Sequence, residues 1–197
     1  MNMLFKRIFD FTSAFMGLVI LSPLLLFVSL LVKIKMTGPV FFRQERIGRL
    51  GKPFTIYKFR TMIPDHGGGT ITLKGEKRIT TLGAILRKYK VDELPELWNV
   101  LKGDMSIVGP RPDVSEYINR LHPEGRLILG FRPGITSPAS LKYFNEEELV
   151  ASAPDPMKYY DEVIWTDKVR MNIDYCINWN FWSDISIIIQ TVFNLRH

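Results

Sequence analysis

A long apolar run opens the chain. Between Asp10 and Lys33 lie 22 residues without a charged side chain, FTSAFMGLVILSPLLLFVSLLV. As a straight helix the run measures roughly 33 Å, about the thickness of a bilayer's hydrocarbon core. A signal peptide has a shorter apolar core and ends in a small-residue cleavage site, whereas this run ends in Lys33 and Lys35. The pattern therefore predicts a membrane helix within residues 1–36.

Ser22 and Pro23 lie in the middle of this run. Proline removes a backbone donor and collides with the preceding turn, so we predict a bend in the helix at this pair. Basic residues also flank both ends, with Lys6 and Arg7 before the run and Lys33 after it. A simple span carries its positive charge mainly on the cytosolic side. The residues alone leave two topologies open, a kinked span, which they favour, and a re-entrant helix that enters and leaves by one face.

Two short segments with strand character follow, VFFRQERIG over 40–48 and PFTIYKFRTM over 53–62. The turn residues between them predict a small β-hairpin with a longer loop. Alternation in the second segment places Lys58 and Arg60 on one face of the strand. These two cations could hold a phosphate, or they could form a solvated or lipid-facing edge.

Helical spacing of apolar residues returns from Thr81, and basic residues near Lys90 complement the dipole at the end of that helix. A second helix is predicted from Glu93 to Leu101, with Asp92 at or beside its N-cap. Backbone amides there favour the ionised carboxylate, which could act as a nucleophile or a magnesium ligand. Helix capping alone also explains an acid at this position. The predicted buried stripe comprises Leu94, Leu97, Trp98 and Leu101.

The glycine-containing segment 64–77 is predicted to be a loop, because no phosphate-cradling Gly-Lys-Ser or Gly-Lys-Thr follows it. Near the C-terminus, residues 183–195 form an apolar helix too short to cross a bilayer. Trp179, Phe181 and Trp182 precede that helix. Such an aromatic cluster suits the lipid headgroup level or a protein core, and both interpretations stay open.

Length and charge narrow the class of protein. A chain of 197 residues is long enough for one catalytic unit, and its formal charge of +6 is concentrated toward the front. From Lys33 to Arg60 eight basic residues face one acid, Glu45, which predicts an anionic partner. The single cysteine, Cys176, excludes an internal disulfide, and the three histidines show no zinc spacing.

The most informative stretch, RKYKVDELPELWNVLKGDMSIVGPRPD, covers residues 87–113. Its adjacent carboxylates, Asp92 and Glu93, lie between a basic run that begins at Arg87 and a second basic position at Arg111. A carboxylate pair surrounded by cations suits phosphoryl transfer on an anionic substrate, because negative charge must be both held and moved.

Three motifs carry a resemblance to a known family. YKFRTM, DELPELWNVLKGDMSIVGPRP and RPGIT occur at 57–62, 92–112 and 132–136. In order and spacing they resemble the signatures of the small monotopic polyprenol-phosphate phosphoglycosyl transferases, the bacterial sugar transferase family. The resemblance implies a mainly α fold with a small β-hairpin: a broken, re-entrant membrane helix (1–36) and a compact cytosolic catalytic unit (37–197) with interfacial amphipathic helices.

The resemblance also implies an activity. Members move a phosphosugar from a UDP-sugar to polyprenol phosphate and release UMP, at the cytoplasmic face of the bacterial inner membrane. The aspartate matching Asp92 is the nucleophile that becomes covalently attached to the phosphosugar and helps to hold Mg²⁺, and the glutamate matching Glu93 is also required. The Ser-Pro pair matching Ser22 and Pro23 marks the helix break, which reverses the preference for a span. The predicted phosphate-binding residues are Lys58, Arg60, Arg87, Arg111 and Arg132.

These implications define the expected partners: a UDP-sugar, polyprenol phosphate and bacterial membrane lipid, no nucleic acid, and a homodimer that the sequence allows. One region departs from the family pattern, since SPASLKYFNEEE follows RPGIT over residues 137–148. Nucleotide and sugar contacts are therefore not transferred there, and Lys142 is a hypothetical replacement cation. The alternative function is a non-catalytic, membrane-anchored basic module that binds anionic lipid. Asp92 argues against that module, because a carboxylate inside a cationic patch weakens anion binding.

Overall fold

The computed structural model describes residues 3–63 and 78–194, and the predicted loop over 64–77 lies outside that range. Helices dominate the described part of the chain, together with two small two-stranded sheets. The elements are α1 (Met3–Lys35), β1 (Phe41–Ile47), β2 (Pro53–Phe59), α2 (Thr81–Lys88), α3 (Glu96–Lys102), β3 (Ser106–Val108), α4 (Ser115–Asn119), β4 (Gly134–Thr136), α5 (Pro138–Lys142), α6 (Glu146–Ala151), α7 (Pro156–Tyr159), α8 (Thr166–Ile177) and α9 (Phe181–Asn194). Short 3₁₀ turns cover Arg49–Gly51, Val91–Glu93 and Pro123–Gly130, and a π-helical segment covers Tyr160–Trp165.

The apolar N-terminal helix continues through Ser22 and Pro23, so the break that the resemblance implies does not end the helix there, and the bend expected at Pro23 stays a prediction. Proline cannot donate to the carbonyl four residues earlier, which belongs to Val19. The Ser22 hydroxyl donates to that carbonyl instead, at 2.8 Å. The serine thus satisfies the acceptor that the proline leaves free, and this explains why the helix does not end there.

Both ends of α1 contact the rest of the protein. Near its start, Arg7 donates to the carbonyls of Val100 and Leu101 in α3, at 2.6 and 2.9 Å. Just beyond its end, the carbonyls of Met36 and Thr37 accept from the Arg60 guanidinium, at 3.1 and 2.6 Å. By length and composition α1 could cross a membrane, yet its two ends are fixed to the same folded unit. The two predicted units, residues 1–36 and 37–197, are therefore in direct contact with each other.

The predicted hairpin is confirmed. Strands β1 and β2 pair antiparallel, with Phe42 opposite Lys58. The fully buried Asn99 of α3 attaches this hairpin to the helix, since its amide nitrogen donates to the Thr55 carbonyl at 2.7 Å. Its amide oxygen accepts from the Tyr57 backbone nitrogen at 3.2 Å. One buried side chain thus extends the edge of β2 and fixes Lys58 against α3.

A second small sheet brings together two glycine-containing segments, one at Gly109 and one at Gly134. Strands β3 and β4 are parallel, with Ser106 opposite Gly134 and Val108 opposite Thr136. A Cβ atom added to Gly134 would lie 2.1 Å from the Gly109 backbone nitrogen, which no side chain tolerates. Glycine is therefore required here because the two backbones approach so closely.

The C-terminal helix is held by a buried carboxylate. Asp184 accepts from Lys6 at 2.5 Å, from the Tyr175 hydroxyl at 2.6 Å and from the Trp179 indole nitrogen at 3.0 Å. This network fixes α9 to the start of α1. Within the predicted aromatic cluster, Trp179 belongs to this network and packs inward, whereas Trp182 is 74% exposed.

We predict that Gly134→Ala lowers the free energy of unfolding by about 3 kcal/mol or more, because the new methyl group collides with the backbone of the neighbouring turn. Thermal unfolding in detergent measures the effect. Gly130→Ala is the matched control, since a Cβ atom at Gly130 meets nothing within 4 Å. Equal melting temperatures for the two variants would contradict the packing argument.

Candidate active site

A groove of about 2030 Å³ runs across the catalytic unit. Its walls come from the β-hairpin, α2, the Val91–Glu93 turn, the loop after β3, and the elements from α5 to α8. Most of the predicted site residues line it. Those residues are Lys58, Arg60, Arg87, Asp92, Glu93 and Arg111.

Asp92 lies in the 3₁₀ turn and not at a helix N-cap, so the predicted capping role is wrong. Helix α3 begins only at Glu96, because Lys90 adopts a left-handed conformation (φ 53°) and Pro95 follows the turn. Asp92 is 7% exposed, and its Oδ1 has no hydrogen-bond partner in the described part of the chain. Burial, reinforced by the charge of Glu93, raises the pKa of Asp92, whereas the predicted capping would have lowered it.

Glu93 is the most strongly paired acid of the site. Its Oε1 accepts from Lys58 Nζ at 2.6 Å and from Arg111 Nη2 at 3.0 Å. Burial opposes ionisation of this carboxyl, but the positive charges of Lys58 and Arg111 outweigh it and lower the pKa of Glu93. Glu93 is therefore ionised at neutral pH and holds the two cations beside Asp92.

Glu96 forms the floor of this cluster. Its Oε1 lies 3.1 Å from Lys58 Nζ, so one ammonium group is shared by two carboxylates. Burial raises the pKa of Glu96 to about 7, because the attraction of Lys58 is offset by the negative charge of Glu93. The predicted apolar stripe of this helix is confirmed in part: Leu97 and Leu101 pack against the core, but Trp98 is 50% exposed. The prediction missed Glu96 and Asn99, which are buried.

Arg87 faces the groove from the opposite wall. Its guanidinium pairs with Glu147 of α6 and lies 3.4 Å from the Thr61 hydroxyl. The positive charges of Arg87 and Lys90 both act on Asp92, which confirms that the basic run surrounds the carboxylate pair. Whether these cations bind substrate phosphate stays a prediction.

Three predicted cations are used elsewhere. Arg60 lines the groove and follows β2 directly. Its guanidinium donates to the carbonyls just beyond the end of α1. Arg132 donates from Nε to the Gly103 carbonyl at 2.8 Å and is not among the described groove residues. Lys142 pairs with Asp167 at 2.6 Å and is exposed outside that groove, so it is a poor replacement cation.

A magnesium ion was predicted at Asp92. Within residues 3–63 and 78–194 there is no group of three or more side chains of the metal-binding types. Mg²⁺, however, commonly binds one or two carboxylates and completes its shell with water and substrate phosphates. Asp92 lines a groove that several cations also line, and its buried Oδ1 has no partner among the described residues, so this single carboxylate fits an ion held in that way.

The family model described as bacterial sugar transferase matches residues 1–197 of this sequence. The chain belongs to the bacterial sugar transferase family. It is therefore an enzyme, a phosphoglycosyl transferase, and the alternative of a non-catalytic basic module is set aside.

Three relatives illustrate the similarity of this transferase to other proteins. It is 38% identical to the uncharacterized sugar transferase EpsL of Bacillus subtilis, over 96% of this chain and 86% of the relative. It is 35% identical to the UDP-glucose:undecaprenyl-phosphate glucose-1-phosphate transferase of Caulobacter vibrioides, over 95% of this chain and 68% of the relative. It is 33% identical to the UDP-N-acetylgalactosamine-undecaprenyl-phosphate N-acetylgalactosaminephosphotransferase of Aeromonas hydrophila, over 95% of this chain and 42% of the relative.

Sequence reasoning missed two residues that organise the transferase site. Glu96 was overlooked because an acid in the first turn of a helix is ordinary, and Asn99 because its role depends on a strand 42 to 44 residues away. Both lie on one helical face, three residues apart. A polar face on a helix otherwise predicted to be buried is the signal that could have revealed them.

We predict that Glu96 makes the transferase less stable as the pH rises from about 4.5 to about 7. In this range the folded protein keeps the proton on Glu96 and the unfolded chain releases it, so the unfolded state binds fewer protons. Glu96→Gln mimics the protonated form and should remove this loss, gaining up to about 3 kcal/mol relative to wild type between pH 5 and pH 8. Urea unfolding in detergent at pH 5 and pH 8 measures the free energies of unfolding of both proteins.

The control for this experiment is Glu124→Gln, at an exposed position. It makes the same chemical change outside the buried cluster. The same pH profile for wild type and Glu96→Gln would disprove a raised pKa at Glu96.

Proposed function

We propose that this transferase moves a phosphosugar from a UDP-sugar to polyprenol phosphate, producing polyprenol diphosphate-sugar and UMP. The printed names of the relatives from Caulobacter vibrioides and Aeromonas hydrophila, which pair UDP-sugars with undecaprenyl phosphate, support this choice of substrates. The lipid-linked product would begin glycan assembly at the cytoplasmic face of the bacterial inner membrane.

One observation carries the proposal: a buried carboxylate oxygen without a partner among the described residues, set among cations that line a groove. Burying such an atom costs free energy unless a ligand uses it. Asp92 Oδ1 is that atom, while Glu93 pairs through Oε1 with both Lys58 and Arg111. The arrangement supports Asp92 as the nucleophile and Glu93 as the residue that positions the cations.

In the first step an Asp92 oxygen forms a bond to the phosphorus that carries the sugar. The bond from that phosphorus to the bridging oxygen breaks, and its electron pair leaves with UMP. In the second step an oxygen of polyprenol phosphate attacks the same phosphorus, and the Asp92 oxygen leaves with the electron pair of the acyl phosphate bond. Lys58, Arg87 and Arg111 neutralise the charge on the phosphates in both steps.

Asp92 would hold Mg²⁺ through Oδ1, together with oxygens of the diphosphate. When bound, the ion supplies Lewis-acid stabilisation of the phosphate charge. The pKa of Glu93 is lowered, since Lys58 and Arg111 outweigh its burial, so Glu93 is a weak proton acceptor. In this mechanism it orients Lys58 and Arg111 instead of removing a proton from the lipid phosphate.

The membrane placement follows from α1. Its outward face carries exposed apolar side chains along the whole helix, among them Ile20 and Leu26 at 68% and 72% exposure. A helix crossing the bilayer would separate its ends by the membrane thickness, but Arg7 and Met36 both contact the catalytic unit. We therefore propose a re-entrant placement in which α1 is embedded in one leaflet and both of its ends face the cytoplasm. Interfacial α9 and the homodimer stay predictions.

We predict that Asp92→Asn reduces UMP release by about 10³-fold or more, because the amide cannot form the acyl phosphate. The assay supplies candidate UDP-sugars, undecaprenyl phosphate and Mg²⁺ to protein in detergent. Intact-protein mass spectrometry without lipid acceptor should show a phosphosugar adduct on wild type only.

Asp104→Asn is the matched control, because Asp104 lies outside the described groove lining and pairs with Lys102 at the surface. It should retain activity and the adduct. An adduct that persists in Asp92→Asn, or product formation by wild type with no adduct, would reject Asp92 as the nucleophile.

A labelling experiment tests re-entry. In a Cys176→Ala background, cysteines at the exposed positions Met3 and Leu50 should both resist a membrane-impermeant maleimide in intact cells and react after permeabilisation. The reason is that both positions then face the cytoplasm. Labelling of Met3→Cys in intact cells while Leu50→Cys stays protected would instead establish a span.

A further inference from the structure

The groove extends past Arg111 to a second polar cluster that the mechanism does not use. Glu93 and Glu146 both raise the pKa of Arg111, so the catalytic cluster and this second one are adjacent. The second cluster comes from four separate elements of the chain. Its members are Arg46, Asp113, Glu146, Lys168 and Asn172.

Asn172 of α8 is the clearest sign of an unmet contact. The residue is only 6% exposed and lines the groove, yet its Oδ1 lacks a hydrogen-bond partner in residues 3–63 and 78–194. Arg46 contributes a matching donor, since its buried Nε is also without a partner over the same residues. A buried acceptor and a buried donor in one groove are the features expected of a site that a ligand completes.

Lys168 lies one turn before Asn172 on the same face of α8. Its ammonium group pairs with Glu146 and sits 5.5 Å from the centre of the Tyr160 ring. The side chain is therefore fixed in place and cannot move freely toward a phosphate. It forms a rigid wall of the groove beside Asn172.

The charges of the second cluster balance, with two cations, Arg46 and Lys168, and two carboxylates, Asp113 and Glu146. The catalytic side differs in holding the proposed nucleophile, Asp92, which the charges of Lys58, Arg87 and Lys90 reach. The diphosphate is assigned to the catalytic side because its phosphorus must meet Asp92. The side of α8 is left for the uncharged, hydrogen-bonding part of the donor.

We infer that the groove wall formed by Asn172, Lys168 and Glu146 binds the sugar of the donor and selects its configuration. The inference rests on the proposed function and assigns the sugar to one place in that site. A sugar hydroxyl can donate to the partnerless Oδ1 of Asn172. The sugar also stays on the enzyme through both chemical steps whereas UMP leaves after the first, and a buried wall suits the part that stays.

Selectivity follows from the same geometry. An epimer that turns one hydroxyl away leaves a buried polar atom of the enzyme without a partner, which a protein site rejects strongly. Asn172→Ala should therefore lower kcat/KM for the preferred UDP-sugar by about tenfold or more and reduce its advantage over the epimeric UDP-sugar. The inhibition constant of UMP should change by less than about twofold, because UMP carries no sugar at this subsite.

The experiment measures kcat/KM for UDP-glucose, UDP-galactose and their N-acetylated counterparts, and UMP inhibition, on full-length protein in detergent. Asn178→Ala is the matched control, an exposed asparagine at the end of the same helix. If Asn172→Ala does not fold, Asn172→Leu replaces it, because leucine has a similar size but no acceptor, and it should change sugar preference in the same way.

The outcomes separate the two proposals. Equal weakening of UMP and UDP-sugar would place the nucleotide at this wall, and unchanged sugar preference would remove any role for it. Either result overturns the inference while leaving the phosphoglycosyl transfer intact. A wild-type protein that releases no UMP from any UDP-sugar would refute the proposed function, and the inference with it.

Discussion

The ammonium group of Lys58, shared between Glu93 and Glu96, is the interaction on which the site depends. Two carboxylates so close in a buried place would repel each other, and one cation between them makes the arrangement stable. The contact joins the β-hairpin to the turn before α3, and Arg111 adds the loop after β3 through the same Glu93 oxygen. Three segments distant in sequence thus meet beside Asp92, whose buried Oδ1 has no hydrogen-bond partner among the described residues.

The helix that the proposal embeds in lipid is also a structural member of the catalytic unit. Arg7 caps the carbonyls at the end of α3, and Lys6 reaches Asp184 of α9. Asp10 accepts from the Ser106 hydroxyl and the Ile107 backbone nitrogen in β3, the strand that leads to Arg111. In the proposed membrane placement of α1, these direct contacts set the position of the groove relative to the bilayer, and the proposed lipid phosphate substrate requires such a fixed position.

Local patterns predicted the elements better than their roles. The hairpin was predictable because alternation and turn residues act over a few positions, and the apolar run was predictable because composition alone identifies it. Asp92 and Glu93 drew attention because they are adjacent and surrounded by cations. The contacts of Arg60 were not predictable, because the sequence around a basic residue after a strand does not show what that residue binds. In the structure it donates to the carbonyls beyond the end of a distant helix.

The sequence by itself determined the membrane-length helix, the hairpin, the carboxylate pair and, through its motifs, the family. Only the tertiary structure decided that α1 continues through Pro23, that both of its ends meet one unit, and that burial raises the pKa of Asp92 while cations lower that of Glu93. The physical reason is the range of the forces involved. Periodicity and turn chemistry act between near neighbours, whereas desolvation and ion pairing depend on side chains that only folding brings together.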